Sequence, residues 1–310
     1  MTEAEFLTAL RTLPLHPGAH GLRDDTATLG GFTVTTDTLV EGVHFLASDP
    51  PGDVAWKLLA VNLSDLAAKG ATPVAVLLNY PLGDDAWDAG FLAGLDAALR
   101  RFACPLLGGD TVSQPPSGVR PPARVLTLTA FGSGGGTVPR TGARAGDGLW
   151  VAGPIGDAGA GLRIARGAPG PAELLAAYRR PQPRLTEGRA LAAQAHAMMD
   201  VSDGLLIDAQ RMAAASGLAV ALDLAAVPLS AALVGWRGDD RAARLDAATA
   251  GDDYALLFAL PDGLVPAVAA TRVGHFTAGS GLTVHDAGEP VALPASLGWQ
   301  HGLRGRTAGV

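Results

Sequence analysis

Aspartates recur in this chain beside glycines, threonines and serines, at points where strands end and loops begin. The sites are Asp24-Asp25, Asp37, Asp65, Gly108-Gly109-Asp110, Asp200 with Asp203, and Gly251-Asp252-Asp253. Acids kept for solubility usually lie on helix faces. These lie in apolar surroundings, where an unpaired carboxylate is costly. One such aspartate reads as a turn residue or a helix cap; six sites of one type point to a shared cation. Mg2+ suits them, because it takes oxygen ligands from a few carboxylates and from substrate phosphates. Cys104 is the only cysteine, which excludes a thiolate metal site and an internal disulfide, and no HExxH pair marks a zinc protease.

Spacing sharpens the reading. In an extended Thr35-Thr36-Asp37, Thr35 and Asp37 point to one face, so a hydroxyl and a carboxylate can approach one ion. Thr36 points away, leaving its carbonyl as a ligand. In Asp200–Leu205, Asp200 and Ser202 share a face if the segment is extended, and Asp203-Gly204 turns into a helix. The N-terminus of that helix favours bound phosphate, with Asp203 as a plain N-cap the competing reading. The only lysines, Lys57 and Lys69, sit outside any GxxxxGK[ST] frame, and the run Gly132–Thr137 lacks the last glycine of GxGxxG. There is no GxSxG elbow either. Phosphoryl transfer by positioning and metal neutralisation needs no protein nucleophile, and none is expected here.

The elements that must hold these residues alternate along the chain. Phe32–Asp37 reads as a β-branched strand, and Asp53 as the N-cap of a helix running to Lys69 and ending at Gly70. That helix is apolar on most faces, which predicts burial. Val74–Tyr80 reads as a core strand, Ala86–Ala103 as a helix, Leu106–Asp110 as a strand ending in a glycine turn, and Arg124–Gly132 as a strand. The polar, proline-rich Ser113–Pro122 reads as a loop. After the glycine-rich Gly132–Gly148 come a strand at Gly148–Gly153 and helices near Ala158–Arg166, Pro171–Tyr178 and Thr186–His196. A helix after Gly204 and strands at Ala219–Leu224 and Ala255–Leu260 follow. The expectation is an α+β, α/β-rich chain of two halves, 1–140 and 141–310.

Composition sets the outer limits. The chain is 48% hydrophobic and 17% charged, so a large core is within reach, and Gly 41 with Pro 22 argues against a helical bundle. A net charge of −7 argues against a nucleic-acid partner or an anionic membrane surface. No apolar run reaches the length of a membrane span, and the N-terminus carries early acids without a long apolar stretch. The expectation is a cytoplasmic protein.

Taken together, the motifs resemble the thiamine-monophosphate kinase family, of the superfamily that includes aminoimidazole ribonucleotide synthetase. The strings are DDTATL (Asp24–Leu29), TTDTLVEGVHF (Thr35–Phe45), VNLSDLAAKGATP (Val61–Pro73) and LLGGDT (Leu106–Thr111). They continue with RTGARAGDGLWVAGPIGDAGAGL (Arg140–Leu162), RRPQPRLTEG (Arg179–Gly188), DVSDGL, GDDYALLF (Gly251–Phe258) and GWQHG (Gly298–Gly302). Arg23, Ala255, Gly302 and the segment Val112-Ser113-Gln114 depart from the family pattern. The resemblance implies ATP-dependent phosphorylation of thiamine monophosphate to thiamine diphosphate by direct in-line transfer with several Mg2+ ions. It implies a metal cluster of Asp25, Thr35, Thr36, Asp37, Asp65, Asp110, Asp200 and Asp203. It puts Gly109, Asp110, Arg140 and Ser202 on ATP, and His44, Asp252 and Trp299 on thiamine monophosphate. A Trp face suits a cationic heteroaromatic ring. It also implies the aminoimidazole ribonucleotide synthetase-like fold: a homodimer whose N-terminal domains form a β-barrel, each followed by a C-terminal α/β domain.

Overall fold

A computed structural model describes residues 2–113, 123–134 and 138–300. The Ser113–Pro122 loop, apart from Ser113, and His301-Gly302 lie outside the described residues. A helix α1 (Glu3–Leu10) and a short 3-10 segment precede strands β1 (Ala27–Leu29) and β2 (Phe32–Val40). Then follow α2 (Pro51–Ala68), β3 (Thr72–Leu82), α3 (Asp85–Phe102), β4 (Leu106–Ser113) and β5 (Val125–Ser133). These five strands form one open sheet in the order β1-β2-β5-β3-β4. The single parallel pair, β3 with β4, is joined through α3 as a βαβ unit; the other pairs are antiparallel. No closed barrel is formed within the chain among the described residues.

Helix α2 lies against this sheet, and most of its residues are buried. Its apolar faces carry Leu58, Leu59, Leu63 and Leu66 into a core with Leu126, Leu128 and Phe91. The helix starts earlier than expected. Pro50 is the N-cap and Pro51 the first helical residue, where a missing N–H costs nothing. Asp53 therefore sits inside the first turn and does not cap; its carboxylate holds Arg180 at 2.5 Å instead. At the other end Gly70 takes φ +66 and Ala71 donates to the Leu66 carbonyl (2.9 Å), closing the helix as Gly at this position does.

The second sheet has seven strands in the order β12-β11-β8-β10-β6-β9-β7. They are β6 (Gly148–Ala152), β7 (Ala197–Asp200), β8 (Leu218–Asp223), β9 (Leu256–Leu260), β10 (Thr271–Ala278), β11 (Gly281–Asp286) and β12 (Glu289–Val291). Helices α4 (Asp157–Ala165), α5 (Ala172–Arg179), α6 (Leu185–Leu191), α7 (Leu205–Ala215), α8 (Ala231–Arg237) and α9 (Arg241–Thr249) are interspersed. The segment expected to be helical to His196 stops at Leu191, because the chain must turn to feed β7 at Ala197.

The two sheets are joined through apolar and polar contacts. Ala67 and Ala68 of α2 share a buried cluster with Met198, Leu256 and Phe258. Around α2, Arg179 pairs with Asp49 (3.0 Å), and the Trp56 indole donates to the Pro181 carbonyl (3.0 Å). The RRPQPR string is thus a strap between the halves.

Cys104 is buried at the end of α3, and burial pushes its thiol up to about 11. A thiol reagent at neutral pH is expected to leave the folded chain unlabelled and to label it once on unfolding. Rapid stoichiometric labelling of the folded protein would contradict this placement.

Candidate active site

Helix α2 and strand β2 bring the first group of acids together. Thr35 donates to Asp65 at 2.5 Å, and the Asp37 amide donates to the Asn62 side chain at 3.1 Å. Thr35 and Asp37 share the face toward α2, as the period-two pattern requires. Thr36 lies on the other face, bonded to the Leu128 carbonyl and to Thr129. From the second sheet, Asp200 at the end of β7 accepts from Ser64 of α2 at 2.6 Å. One helix therefore addresses acids from both halves.

These carboxylates are short of counter-charge. Burial pushes Asp37 up to about 6. Burial first, and then the charges of Asp208 and Asp37, carry Asp200 up to about 7. Asp65 is held well above the ordinary carboxylate range by burial, with Asp37 and Asp200 adding to the effect. Like charges gathered in a poorly hydrated site call for a cation.

The Asp200–Leu205 loop has its own support. Asp203 does not cap α7; Gly204 is the N-cap residue and offers no side chain. Asp208, one turn into α7, reaches back to accept from the Asp203 and Gly204 amides at 3.0 and 3.2 Å. Arg211 bonds both Asp203 and Asp208. Burial is the first cause that lifts Asp208 to about 6. Two glycines let other loops approach this one. A Cβ on Gly251 would stand 2.6 Å from the Ser202 carbonyl, and one on Gly298 would stand 2.4 Å from the Asp203 carbonyl. The Trp299 amide donates to that same Asp203 oxygen at 2.9 Å.

Asp24, Asp25, Thr35 and Thr36 from the first sheet, and Ser202, Asp203 and Trp299 from the second half, line a cavity of about 1380 Å³. Arg140 and Arg211 line it too. Arg140 bonds Asp25, yet its buried Nε has no hydrogen-bond partner. A guanidinium with an unmet donor at a cavity wall is suited to an incoming anion such as a phosphate.

His44 and Asp252 meet elsewhere, through a residue that sequence reasoning passed over. Lys57, almost fully buried, donates to the His44 carbonyl at 3.0 Å and pairs with Asp252 at 2.8 Å. Tyr254 donates to Asp252 at 3.0 Å, and the ammonium lies 4.2 Å from the Tyr178 ring centre. Asp252 holds φ +70, a strained setting for a non-glycine residue. Its neighbour Asp253 does the capping, accepting from the Gly156 and Ala158 amides at the start of α4 (2.7 and 3.2 Å).

Gly109 and Asp110 are not brought to this cluster within the chain. Asp37, Leu128, Leu78 and Gly109 form one row across β2, β5, β3 and β4. Three strand spacings separate its ends, about 14 Å. Asp110 is in the next row, with Asn79, Thr127 and Thr38, on the face that turns away from α2, and it is exposed. Gly109 is required by packing: a Cβ there would stand 1.8 Å from the Leu78 carbonyl.

Sequence reasoning missed Lys57, Lys69, Asn62, Ser64, Asp208 and Arg211. A signal was available for the lysines, since a charge on a helix read as buried must find a partner. Among the described residues, no three acidic, His or Cys side chains converge as a ready-made metal site. The donors present are nevertheless all oxygen, with carboxylates backed by hydroxyls. That set fits a hard cation that arrives with part of its shell supplied by phosphate and water.

The raised carboxyl values carry a testable sign. The folded chain holds protons on Asp37, Asp200 and Asp208 that the unfolded chain releases around the ordinary value of 3.8. Stability from these groups is present at low pH and is lost as pH rises from about 4 through about 7. Metal-free protein is expected to melt at a higher temperature at about pH 5 than at about pH 8. An unchanged or reversed order in a thermal scan would refute the assignment.

Both halves of the chain place it in one class: it is an AIR synthase related protein. Residues 23–133 match the AIR synthase related protein N-terminal domain, and residues 144–287 match the C-terminal domain. The chain belongs to the thiamine-monophosphate kinase family. It is 40% identical to the thiamine-monophosphate kinase of Caulobacter vibrioides, over 92% of this chain and 86% of that protein. It is 37% identical to that of Escherichia coli K12, over 88% and 89%. Among solved structures, AaThiL complexed with AMPPCP and TMP superposes with a TM-score of 0.84 at 30% identity, covering 97% of each chain.

Proposed function

We infer that this chain transfers the terminal phosphoryl group of ATP to thiamine monophosphate, forming thiamine diphosphate and ADP in the last step of thiamine diphosphate synthesis. The observation that carries this reading is the cavity wall on which Arg140, with its unmet Nε donor, stands beside Asp24, Asp25 and Asp203, with the charge of Asp200 within its reach. A phosphate chain needs both: a cationic clamp, and carboxylates for its metal. The family's activity and the complex of AaThiL with AMPPCP and TMP support it.

The residues divide the work as follows. Arg140 and Ser202 take ATP phosphate at the cavity wall. Asp25, Thr35, Asp37, Asp65, Asp200 and Asp203, with Thr36 through its carbonyl, would hold the Mg2+ ions, several per site. Bound Mg2+ supplies charge neutralisation on the phosphate oxygens. His44, Asp252 and Trp299 hold thiamine monophosphate, with Trp299 offering a ring face to the thiazolium. Residues 1–140 carry ATP, metal and dimer contacts, and 141–310 complete the cleft. No side chain attacks phosphorus; the substrate phosphate oxygen does so in line.

A homodimer accounts for Gly109 and Asp110. Strand β4 is an edge strand with Leu106, Leu107 and Val112 about half exposed or more. Such an edge is a template for pairing. Two copies packed through this sheet would close the barrel that the family resemblance implies, with Asp110 at the junction between copies. No helix among the described residues is long and apolar enough to cross a membrane, and we assign the enzyme to the cytoplasm.

The test is direct. Purified protein is incubated with ATP, Mg2+ and thiamine monophosphate, and products are separated by chromatography, with thiamine and an aminoimidazole precursor as control acceptors. Thiamine diphosphate is expected from thiamine monophosphate alone. Its absence with folded protein would overturn the assignment.

A further inference from the structure

We propose that Lys57 is a positioning residue of the acceptor site: its ammonium sets the gap between the two walls that receive thiamine monophosphate, His44 from the first half and Asp252 from the second. That one group donates to the His44 carbonyl at 3.0 Å and to Asp252 Oδ2 at 2.8 Å. The Lys57 side chain is 1% exposed and that of Asp252 28%. The cation is therefore closed off from a ligand, while the carboxylate it holds keeps an open edge. Lys57 acts on the substrate only through these partners. The inference rests on the kinase reading, because it takes His44 and Asp252 to be acceptor-binding residues.

Each wall is braced around this tie. Asp252 takes φ +70 and Tyr254 φ +51, so two non-glycine residues in a stretch of three hold left-handed backbone. Such strain persists only where the surroundings over-determine it, and it gathers at ligand clamps. Here the Asp252 amide donates to the Ser202 carbonyl at 2.7 Å, and the Tyr254 amide to the Val201 carbonyl at 2.8 Å. The Tyr254 hydroxyl holds Asp252 Oδ1 at 3.0 Å, and Lys57 holds the other oxygen. On the first wall, the Val40 amide donates to His44 Nδ1 at 3.0 Å and fixes the ring against its own loop. The Tyr178 ring beside the ammonium is tied to that loop too. Its hydroxyl donates to Asp49 Oδ2 at 2.9 Å, and the same oxygen accepts from the Leu46 amide at 2.8 Å. Lys57, Tyr178, Asp49 and the backbone from His44 to Leu46 thus form a closed circuit of contacts. A substrate meets both walls already placed, so less of its binding energy is lost to ordering them.

Lys57→Met removes the ammonium and keeps an unbranched stem; Lys57→Arg keeps the charge and changes the reach. Steady-state kinetics are measured for each substrate in turn, with the other saturating. For Lys57→Met, kcat/KM for thiamine monophosphate is expected to fall on the order of 10²-fold, carried by KM. KM for ATP should stay at the wild-type value. Lys57→Arg should raise KM for thiamine monophosphate by less. Combined with Asp252→Ala, Lys57→Met should raise that KM by less than the product of the two single effects, because the lysine works through the carboxylate. A wild-type KM for thiamine monophosphate in Lys57→Met would overturn the proposal. So would a parallel rise in both KM values, the mark of general loosening, or effects that multiply in the double variant. If Lys57→Met does not fold, Lys57→Arg carries the test: a raised KM for thiamine monophosphate alone supports the proposal, and a wild-type value overturns it. The two readings fail differently. An inactive wild type, or an Asp252→Ala variant with wild-type KM for thiamine monophosphate, sinks the reading of the site. A raised KM in Asp252→Ala beside an unchanged one in Lys57→Met sinks only the role of Lys57.

Discussion

Asp37→Asn is expected to abolish turnover while leaving the fold intact. Asp37 stands where β2 faces α2, with its backbone fixed by Asn62 and its carboxyl raised to about 6 by burial. An amide of the same shape keeps the packing and removes a charge that the metal-free fold holds at a cost. Its loss should cost kcat on the order of 10³-fold, the scale seen when one preorganised electrostatic contact to a transition state is removed. Melting temperature without metal should stay level or rise. Wild-type turnover in this variant would return Asp37 to a purely structural role. A fall in both activity and stability would show that the side chain is satisfied by the protein alone.

Gly188→Ala carries the largest expected effect on folding. Gly188 sits in α6 directly over α2, and a Cβ there would stand 1.9 Å from the Ala67 carbonyl oxygen. Backbone cannot yield as a side-chain tip does, so α6 must move off α2. Overpacking of this kind costs about 1–3 kcal/mol. Gly235→Ala in α8 is the matched control: nothing lies within 4 Å of its added Cβ. Alanine in a helix should there stabilise by roughly 0.5–1 kcal/mol. Equal melting temperatures for the two variants would contradict the close approach of α6 to α2.

The acids were legible because their local setting betrays them. A carboxylate beside a glycine, in apolar sequence, has few cheap explanations, and the glycines at 251 and 298 turned out to be where loops stack backbone on backbone. Strands of β-branched or aliphatic residues, such as β2 and β9, were legible for the same reason. Strands β10 to β12 were not read, since His275, Gly274 and Pro290 break the apolar pattern. What local sequence cannot carry is order across a sheet. The Leu106–Asp110 string reads as a strand ending in a turn, but β4 runs on to Ser113 at the sheet edge. Strand order and sheet face together separate Asp110 from Asp37. Partners of buried lysines are equally non-local: Lys57 and Asp252 are 195 residues apart in the chain.

Helix α2 has a further consequence for motion. Its Lys57, Ser64 and Lys69 are bonded to Asp252, Asp200 and the Met198 carbonyl of the second half. Its Asn62 and Asp65 are bonded to β2 of the first. Swinging the two sheets apart would strip several enclosed polar groups of their partners at once. Helix α2 is thus an axle shared by the two halves, and any swing of one sheet against the other has to break these bonds together.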